Sequence, residues 1–135
     1  MEQRQRLFNI LIVDDSAPVR ERLAAMLAQL PGAGKVWTAA DFLSGLETFQ
    51  TLDPDVAVID IHLPGAGGID LLKRFKIGKP GLFAITLTNH QNQAYREAAL
   101  RAGCDRLFHK DSEFELVATV VEQEFQRRSK AHATP

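Results

Sequence analysis

The residues of this chain best suited to chemistry are three aspartates, a threonine and a lysine that each close a short apolar run. Two acids follow the run at 8–13, one acid follows the run at 56–59, and a hydroxyl and an ammonium group close two later runs: Asp14, Asp15, Asp60, Thr88 and Lys110. Aspartate forms strands poorly and is costly to bury. At the C-terminal tip of an interior strand, however, it lies where open α/β sheets bind their ligands. We therefore predict that these five side chains share one site.

Together these groups could hold a cation and transfer a phosphoryl group. Three carboxylates in one pocket repel one another, and a divalent cation with a preference for oxygen ligands, Mg²⁺ or Mn²⁺, removes that conflict. A carboxylate beside such a metal can act as the nucleophile of an in-line phosphoryl transfer and form an acyl phosphate. Lys110 would supply a cation to the phosphoryl oxygens, and Thr88 a hydrogen bond. Taken singly, a strand-end Asp or Thr is more often a cap or turn residue.

Alternating strand and helix signals provide the framework that such a site needs. Apolar runs and short apolar segments predict five strands, at 8–13, 35–40, 56–59, 82–87 and 106–109. A helical pattern follows each strand, with start and stop signals at Ser16, Asp41, Gly78, Gly103 and a capping box formed by Ser112 and Glu115. This alternation is typical of an α/β doubly wound fold, here a flavodoxin-like (βα)5 sandwich with a five-stranded parallel sheet.

Length and composition fit a single ordinary domain. The chain has 135 residues, 45% of them hydrophobic, and 16 basic against 17 acidic residues give a net charge of −1. That balance gives no reason to expect nucleic-acid or membrane binding. One cysteine, Cys104, excludes an internal disulfide and suits a reducing compartment. We expect a cytoplasmic domain over residues 1–126, followed by a short polar C-terminal tail at 127–135.

The segments that carry the candidate residues resemble the receiver domain of two-component response regulators. LIVDDS, VIDIHLPGAGG, LTN and GCDRLFHK occur in the order typical of that family, and the resemblance extends from about residue 8 to about residue 125. It implies that Asp60 is the phosphoacceptor and that Thr88 and Lys110 contact the phosphoryl group. It also implies a Mg²⁺ site whose ligands are Asp15, Asp60, the backbone carbonyl of His62 and, mainly through a bound water, Asp14.

The family also implies a switch, in which phosphorylation draws the hydroxyl residue Thr88 inward and an aromatic residue on the fifth strand follows it. The face around the fourth helix, fifth strand and fifth helix then changes, and this face could also support a homodimer. In this chain the aromatic position is Leu107, with Phe108 beside it on the opposite face of the strand. Leu107 therefore puts the usual coupling in doubt.

Three further residues are expected to modulate the chemistry. Asn89 replaces a smaller residue that is common in the family, and we expect it to narrow access to the phosphoryl group. His62 and His90 lie two residues beyond Asp60 and Thr88, where an imidazole could set the lifetime of the acyl phosphate. The alternative is a pair of exposed loop histidines with no such role.

The sequence thus favours a stand-alone receiver that takes its phosphoryl group from a histidine kinase or phosphotransfer protein and signals to an unknown protein partner. Such a domain catalyses its own phosphorylation and dephosphorylation but is otherwise a switch, and a piece of a longer regulator would look the same. One alternative is a receiver-like interaction module that is not regulated by phosphorylation. Another is a small Mg²⁺-dependent phosphatase with a nucleophilic Asp, which would usually have an acid where this chain has His62.

Overall fold

Five parallel strands form one sheet with helices on both faces. The computed structural model describes residues 6–65, 67–89 and 93–133. The strands are β1 (Phe8–Val13), β2 (Ala33–Ala39), β3 (Val56–Asp60), β4 (Phe83–Thr88) and β5 (Arg106–His109). The helices are α1 (Ala17–Ala28), α2 (Phe42–Leu52), α3 (Gly67–Gly78), α4 (Gln93–Arg101) and α5 (Leu116–Ala133). The strand order β2-β1-β3-β4-β5 confirms the predicted flavodoxin-like fold.

The central strands are apolar throughout because both of their faces are covered. Successive side chains of a strand point to opposite faces of the sheet. In β1, Leu11 and Val13 therefore join one buried cluster, which α2, α3 and α4 complete, whereas Ile10 and Ile12 join a second cluster against α1 and α5. The three central strands are thus enclosed on both faces, whereas the edge strands β2 and β5 are only partly buried.

Local capping explains where two of the helices begin. The Ser16 hydroxyl accepts a hydrogen bond from the Val19 amide at the start of α1. Asp41 accepts one from the Ser44 amide at 2.8 Å, and the Ser44 side chain bonds back to the Asp41 amide, so that α2 begins with a capping box. Both helix starts agree with the sequence patterns at these positions.

The capping box predicted at Ser112 and Glu115 is wrong. The helix α5 begins later, at Leu116, and the residues before it form turns. The Glu113 carboxylate instead accepts a hydrogen bond from the His109 amide at 2.9 Å, which ties the turn before α5 back to the end of β5. The helix also runs on to Ala133, so that most of the segment expected as a polar tail is helical.

Two of the five strands have the predicted bounds, and the other three differ by one or two residues, a difference that matters at the site. Asp60 is the last residue of β3 and Thr88 the last residue of β4, so both are held in the sheet ladder rather than in loops. Asp60 pairs with Leu87, and Thr88 pairs with His109. The backbone of both candidate residues is therefore positioned by neighbouring strands.

Candidate functional site

The two buried acids of the site lie at the ends of adjacent strands. Asp60 closes β3 and is 4% exposed, and Asp14 follows β1 and is 1% exposed. The Asp14 amide donates to the Ala39 carbonyl at 3.1 Å, so the chain stays aligned with β2 one residue beyond β1. Asp14 Oδ1 accepts from the Ser16 amide at 2.9 Å, and its carbonyl accepts from Arg20 at 2.7 Å. The start of α1 therefore orients this carboxylate.

The third acid, Asp15, is exposed and completes a group of oxygen ligands. One carboxylate oxygen from each of Asp14, Asp15 and Asp60 lies within 4.8 Å of the others. Asp14 Oδ2 is buried and is held by an ion pair, without a well-directed hydrogen bond from any described residue. Hard carboxylate oxygens in this number suit Mg²⁺, which is bound through one or two carboxylates together with water and phosphate oxygens. The donor set therefore fits that ion.

Lys110 supplies the positive charge of the site. Its Nζ lies 2.8 Å from Asp14 Oδ2 and 3.1 Å from Asp60 Oδ2, and its side chain is 9% exposed. Burial by itself lowers the pKa of the Lys110 ammonium, but the close contacts with the carboxylates of Asp14 and Asp60 outweigh burial and raise the pKa above its ordinary value. Lys110 is therefore charged at neutral pH and serves two buried acids at once.

Thr88 is buried beside Asp60 and contacts the imidazole of His62. The distance from His62 Nε2 to Thr88 Oγ1 is 3.0 Å. The backbone amide of His62 donates to Asp60 Oδ1 at 2.9 Å, and its ring meets the Tyr95 ring edge-on, with the centroids 4.7 Å apart. The structure thus brings His62, predicted as a modulating residue, into the site, and links it to α4.

The other predicted modulating and switch residues lie in different surroundings. Asn89 is exposed beside Thr88, and His90 lies outside the described residues. Leu107 packs partly buried against the cluster on the α3 and α4 face, whereas Phe108 is buried in the cluster on the α1 and α5 face. Phe108 is therefore separated by the sheet from the cluster against which Leu107 packs.

Sequence reasoning missed His109, which joins two loops beside the site. Its Nδ1 accepts hydrogen bonds from the amides of Asp111 and Ser112 at 3.3 and 3.4 Å. The proton must then be on Nε2, which donates to the Asn89 carbonyl at 3.2 Å. The imidazole thus ties the loop after β4 to the loop after β5. The available signal is a histidine directly before Lys110, at a position that the sequence pattern predicts only as the end of a strand.

Sequence reasoning also missed that position 68 must be a glycine. The run of glycines after Asp60 does not reveal this requirement, but a Cβ at position 68 would lie 2.0 Å from the Asp60 carbonyl oxygen. The Gly68 amide donates to the Ile61 carbonyl at 3.2 Å. The first turn of α3 therefore packs directly on the backbone of Asp60, and only glycine permits this approach.

The fold and the site together define a class of protein: a flavodoxin-like domain with an acidic pocket and one lysine at the C-terminal edge of its sheet. The family model described as the response regulator receiver domain matches residues 10–122, and the chain belongs to this family. Receiver domains bind Mg²⁺ through an acidic cluster and work with histidine kinases or phosphotransfer proteins. The chain therefore has the phosphoacceptor receiver function predicted from its sequence, and neither alternative is favoured.

The chain is similar to part of several longer proteins. The chain is 31% identical over 127 residues to protein-glutamate methylesterase/protein-glutamine glutaminase 1 of Oleidesulfovibrio alaskensis, covering 93% of this chain and 34% of that protein. It is 38% identical over 98 residues to the corresponding protein 3 of Shewanella oneidensis, covering 72% of this chain and 28% of that protein. The chain thus spans about a third or less of the length of these relatives.

Solved structures of receiver domains superpose closely. A CheY-like receiver domain protein from Methanospirillum hungatei gives a TM-score of 0.83 at 26% identity, covering 93% of this chain and 98% of that one. The response regulator domain of Thermotoga maritima CheB gives 0.75 at 28% identity, covering 96% and 100%. Among the described helices, none combines the length and the apolar character needed to cross a membrane.

Proposed function

We propose that Asp60 is the residue that accepts the phosphoryl group, with Thr88 and Lys110 as its partners in the reaction. The observation that carries this assignment is that Asp60 ends the strand next to the one that ends in Thr88, with Lys110 Nζ 3.1 Å from its Oδ2. The Asp60 carboxylate would attack the phosphorus of a phosphohistidine or a small acyl phosphate, whose bond to phosphorus breaks with the electron pair leaving on the donor. Lys110 then neutralises the phosphoryl oxygens, and the Thr88 hydroxyl donates a hydrogen bond to them.

Mg²⁺ is the ion we propose for the acidic cluster. Asp15 and Asp60 would hold it directly, with the His62 backbone carbonyl as a further ligand and Asp14 acting mainly through a water. When bound, the ion neutralises carboxylate and phosphoryl charge. The chain's own contribution is to hold Asp14 in place through Ser16 and Arg20, and to hold the Asp60 carboxylate through the His62 amide.

We also propose that His62, Asn89 and His90 set the lifetime of the phosphorylated state. Support for the role of His62 comes from the 3.0 Å distance between its Nε2 and Thr88 Oγ1, which puts the imidazole next to a group that would contact the phosphoryl oxygens. Decay of phosphoaspartate in His62→Ala and His90→Ala proteins tests the role of each imidazole. Rates equal to that of the wild type would remove it.

The partners and output of the domain follow as proposals. A histidine kinase or phosphotransfer protein would donate the phosphoryl group in the cytoplasm, and residues 1–126 would form the functional receiver. The response would appear on the face formed by α4, β5 and α5, where Tyr95 is 41% and Leu116 is 46% exposed. That face would contact an unidentified downstream protein or a second copy of the chain, with no direct contact to nucleic acid.

Acetyl phosphate labelling tests the acceptor assignment. With Mg²⁺ present, intact-mass measurement should show the addition of one phosphoryl group to the wild type, and removal of the metal with a chelator should abolish the addition. Asp60→Asn should not be labelled, whereas Asp70→Asn, a matched change of an exposed acid at the start of α3, should be labelled normally. Labelling of the Asp60→Asn protein, or none in the wild type, would contradict the assignment. Multiple-turnover hydrolysis of phosphate esters would favour the phosphatase alternative instead.

A further inference from the structure

The His62 imidazole contacts both Thr88 in the buried site and Tyr95 at the surface. We propose that the His62 imidazole couples Thr88 to Tyr95, so that movement of the Thr88 hydroxyl toward a phosphoryl group on Asp60 repositions Tyr95 on α4. This inference rests on the proposed function of Asp60. It adds that the aromatic residue that responds to phosphorylation is Tyr95 on α4, rather than a residue on β5.

Three contacts of His62 support the coupling. Its backbone amide donates to Asp60 Oδ1 at 2.9 Å, its Nε2 lies 3.0 Å from Thr88 Oγ1, and its ring meets that of Tyr95 at an interplanar angle of 88°. One residue therefore contacts the acceptor, the hydroxyl and the first turn of α4. An edge-on ring pair and a hydrogen bond both depend on orientation, so that the imidazole cannot turn without altering both.

The coupling does not depend on which ring nitrogen of His62 carries the proton. Thr88 is 4% exposed, and its hydroxyl contacts the imidazole either as donor or as acceptor. When the hydroxyl moves toward Asp60, the imidazole either follows or loses this contact. In the first case the ring changes its position against Tyr95, and in the second it loses the hydrogen bond that fixes its orientation against Tyr95, which is 41% exposed and can present the change to a partner.

The fifth strand offers no equivalent aromatic route. Leu107, at the position where the resemblance implies an aromatic, is aliphatic and packs against the cluster on the α3 and α4 face. Phe108 is buried in the cluster on the other side of the sheet. Within the described part of the chain, Tyr95 is the aromatic that Thr88 reaches through an intermediate side chain.

The composition of the chain allows a direct test, because Tyr95 is its single tyrosine. Protein grown with fluorotyrosine should therefore give one fluorine NMR signal. We expect Mg²⁺ with saturating beryllofluoride, which imitates the phosphoryl group, to shift that signal in the wild type. In His62→Phe, which keeps a ring but cannot hydrogen-bond to Thr88, the shift should be lost. Thr88→Val, which keeps His62 and removes the hydroxyl, should lose it as well.

Two controls separate the possible failures. The single tryptophan, Trp37, lies on the edge strand β2, and its fluorotryptophan signal should not follow the Tyr95 signal. Intact-mass measurement after acetyl phosphate treatment reports independently whether the acceptor works. A wild type that forms no adduct overturns the proposed function. A wild type that forms the adduct with an unmoved Tyr95 signal, or a full shift in both variants at saturating beryllofluoride, overturns the coupling and leaves the proposed function intact.

Discussion

The two ends of the sheet both carry acidic residues but use them differently. At the end where the strands begin, Asp55 precedes β3, and both of its oxygens are occupied: Oδ1 accepts from Arg6 and Oδ2 from the Asn9 amide, each at 2.9 Å. Asp105 precedes β5, and its Oδ2 accepts from both Lys76 and the Ala84 amide, each at 2.8 Å. Each of these two acids thus has a cation and a backbone N–H of its own within the protein.

At the end where the strands finish, the acids outnumber the groups that could satisfy them. Asp14 and Asp60 share the single ammonium of Lys110. Asp15 is exposed and makes no hydrogen bond or ion pair with the residues that the structure describes. The same residue type is therefore structural at one end and available to a ligand at the other. The difference is whether the carboxylate oxygens and their negative charges have hydrogen-bond donors and cations of their own within the protein.

Loss of Lys110 should give the largest effect on stability and show how the two ends of the sheet differ. In Lys110→Met without metal, Asp14 and Asp60 remain buried with no cation, and we expect the free energy of unfolding to fall by about 3–5 kcal/mol. Mg²⁺ should restore part of this loss, because it supplies charge at the same acids. Urea denaturation with and without Mg²⁺ measures both effects.

The matched control is Lys76→Met at the opposite end of the sheet. It removes the partner of Asp105 and of the Leu82 carbonyl, and we expect a loss of about 1–3 kcal/mol. Mg²⁺ should restore none of it, since the described residues at that end of the sheet include no group of three acids close enough to hold the ion. Equal recovery of both variants, or no recovery of Lys110→Met, would show that the two ends do not differ in the way described.

Asp15→Asn should weaken metal binding without weakening the fold. Removing a direct ligand should lower the Mg²⁺ affinity at least as much as the roughly 10–100-fold seen when residues behind metal ligands are changed. Because Asp15 is exposed and unpaired in the described structure, stability should stay within about 0.5 kcal/mol of the wild type. Titration of backbone amide NMR signals with Mg²⁺ measures the affinity.

Asp53→Asn provides the comparison for that change. Asp53 ends α2 with φ 51°, a conformation that asparagine also adopts, and its side chain is 81% exposed. We expect an unchanged Mg²⁺ affinity. An affinity loss of similar size in both proteins would point to a diffuse effect of surface charge instead of a site built from particular ligands.

Asp55→Ala should show the reverse pattern, with lower stability and an intact site. The change leaves the Asn9 amide without its acceptor and Arg6 without its ion pair, and a loss of about 1–3 kcal/mol is expected. Phosphorylation by acetyl phosphate should proceed as in the wild type wherever the protein remains folded. A specific loss of phosphorylation in folded Asp55→Ala would mean that this end of the sheet also controls the chemistry.

The five residues of the acidic site could be predicted because strand ends are visible in the sequence. Each follows a continuous apolar run, and a parallel sheet brings the carboxyl ends of its strands to one edge. Asp60 and Asp14 therefore come together although they are far apart in the chain. The same reasoning correctly predicts the order of strands and helices, with strand ends uncertain by one or two residues.

Contacts that depend on loop conformation could not be predicted. Ser112 and Glu115 have the spacing of a capping box, but the hydrogen bonds of His109 and Glu113 hold this segment as turns. The contact between His62 and Thr88 likewise depends on how the loop after β3 folds back. The ion pairs at the other end of the sheet were missed because Asp53-Pro54-Asp55 reads as a helix stop, and this signal does not reveal a tertiary partner.

The smallest expected effect is a pH dependence at the end where the strands begin. Glu124 on α5 bonds to Arg127 and Arg128, and Arg128 also reaches the Gly81 carbonyl just before β4. Burial by itself raises the pKa of Glu124, but the hydrogen bonds from both arginines outweigh burial and hold the pKa below its ordinary value of 4.5. A lowered pKa in the folded state means that this stabilisation is present above the ordinary value and is lost as the pH falls through the folded pKa.

Glu124→Gln should therefore be less stable than the wild type by about 0.5–1 kcal/mol at neutral pH. The difference should shrink as the pH falls below 4.5 and disappear once Glu124 is protonated in the folded wild type. Urea denaturation of both proteins across this range measures it, and the affinity for Mg²⁺ at neutral pH should be the same in both. A stability difference that stays constant into acid would show that lost packing, rather than the charge of Glu124, accounts for the effect.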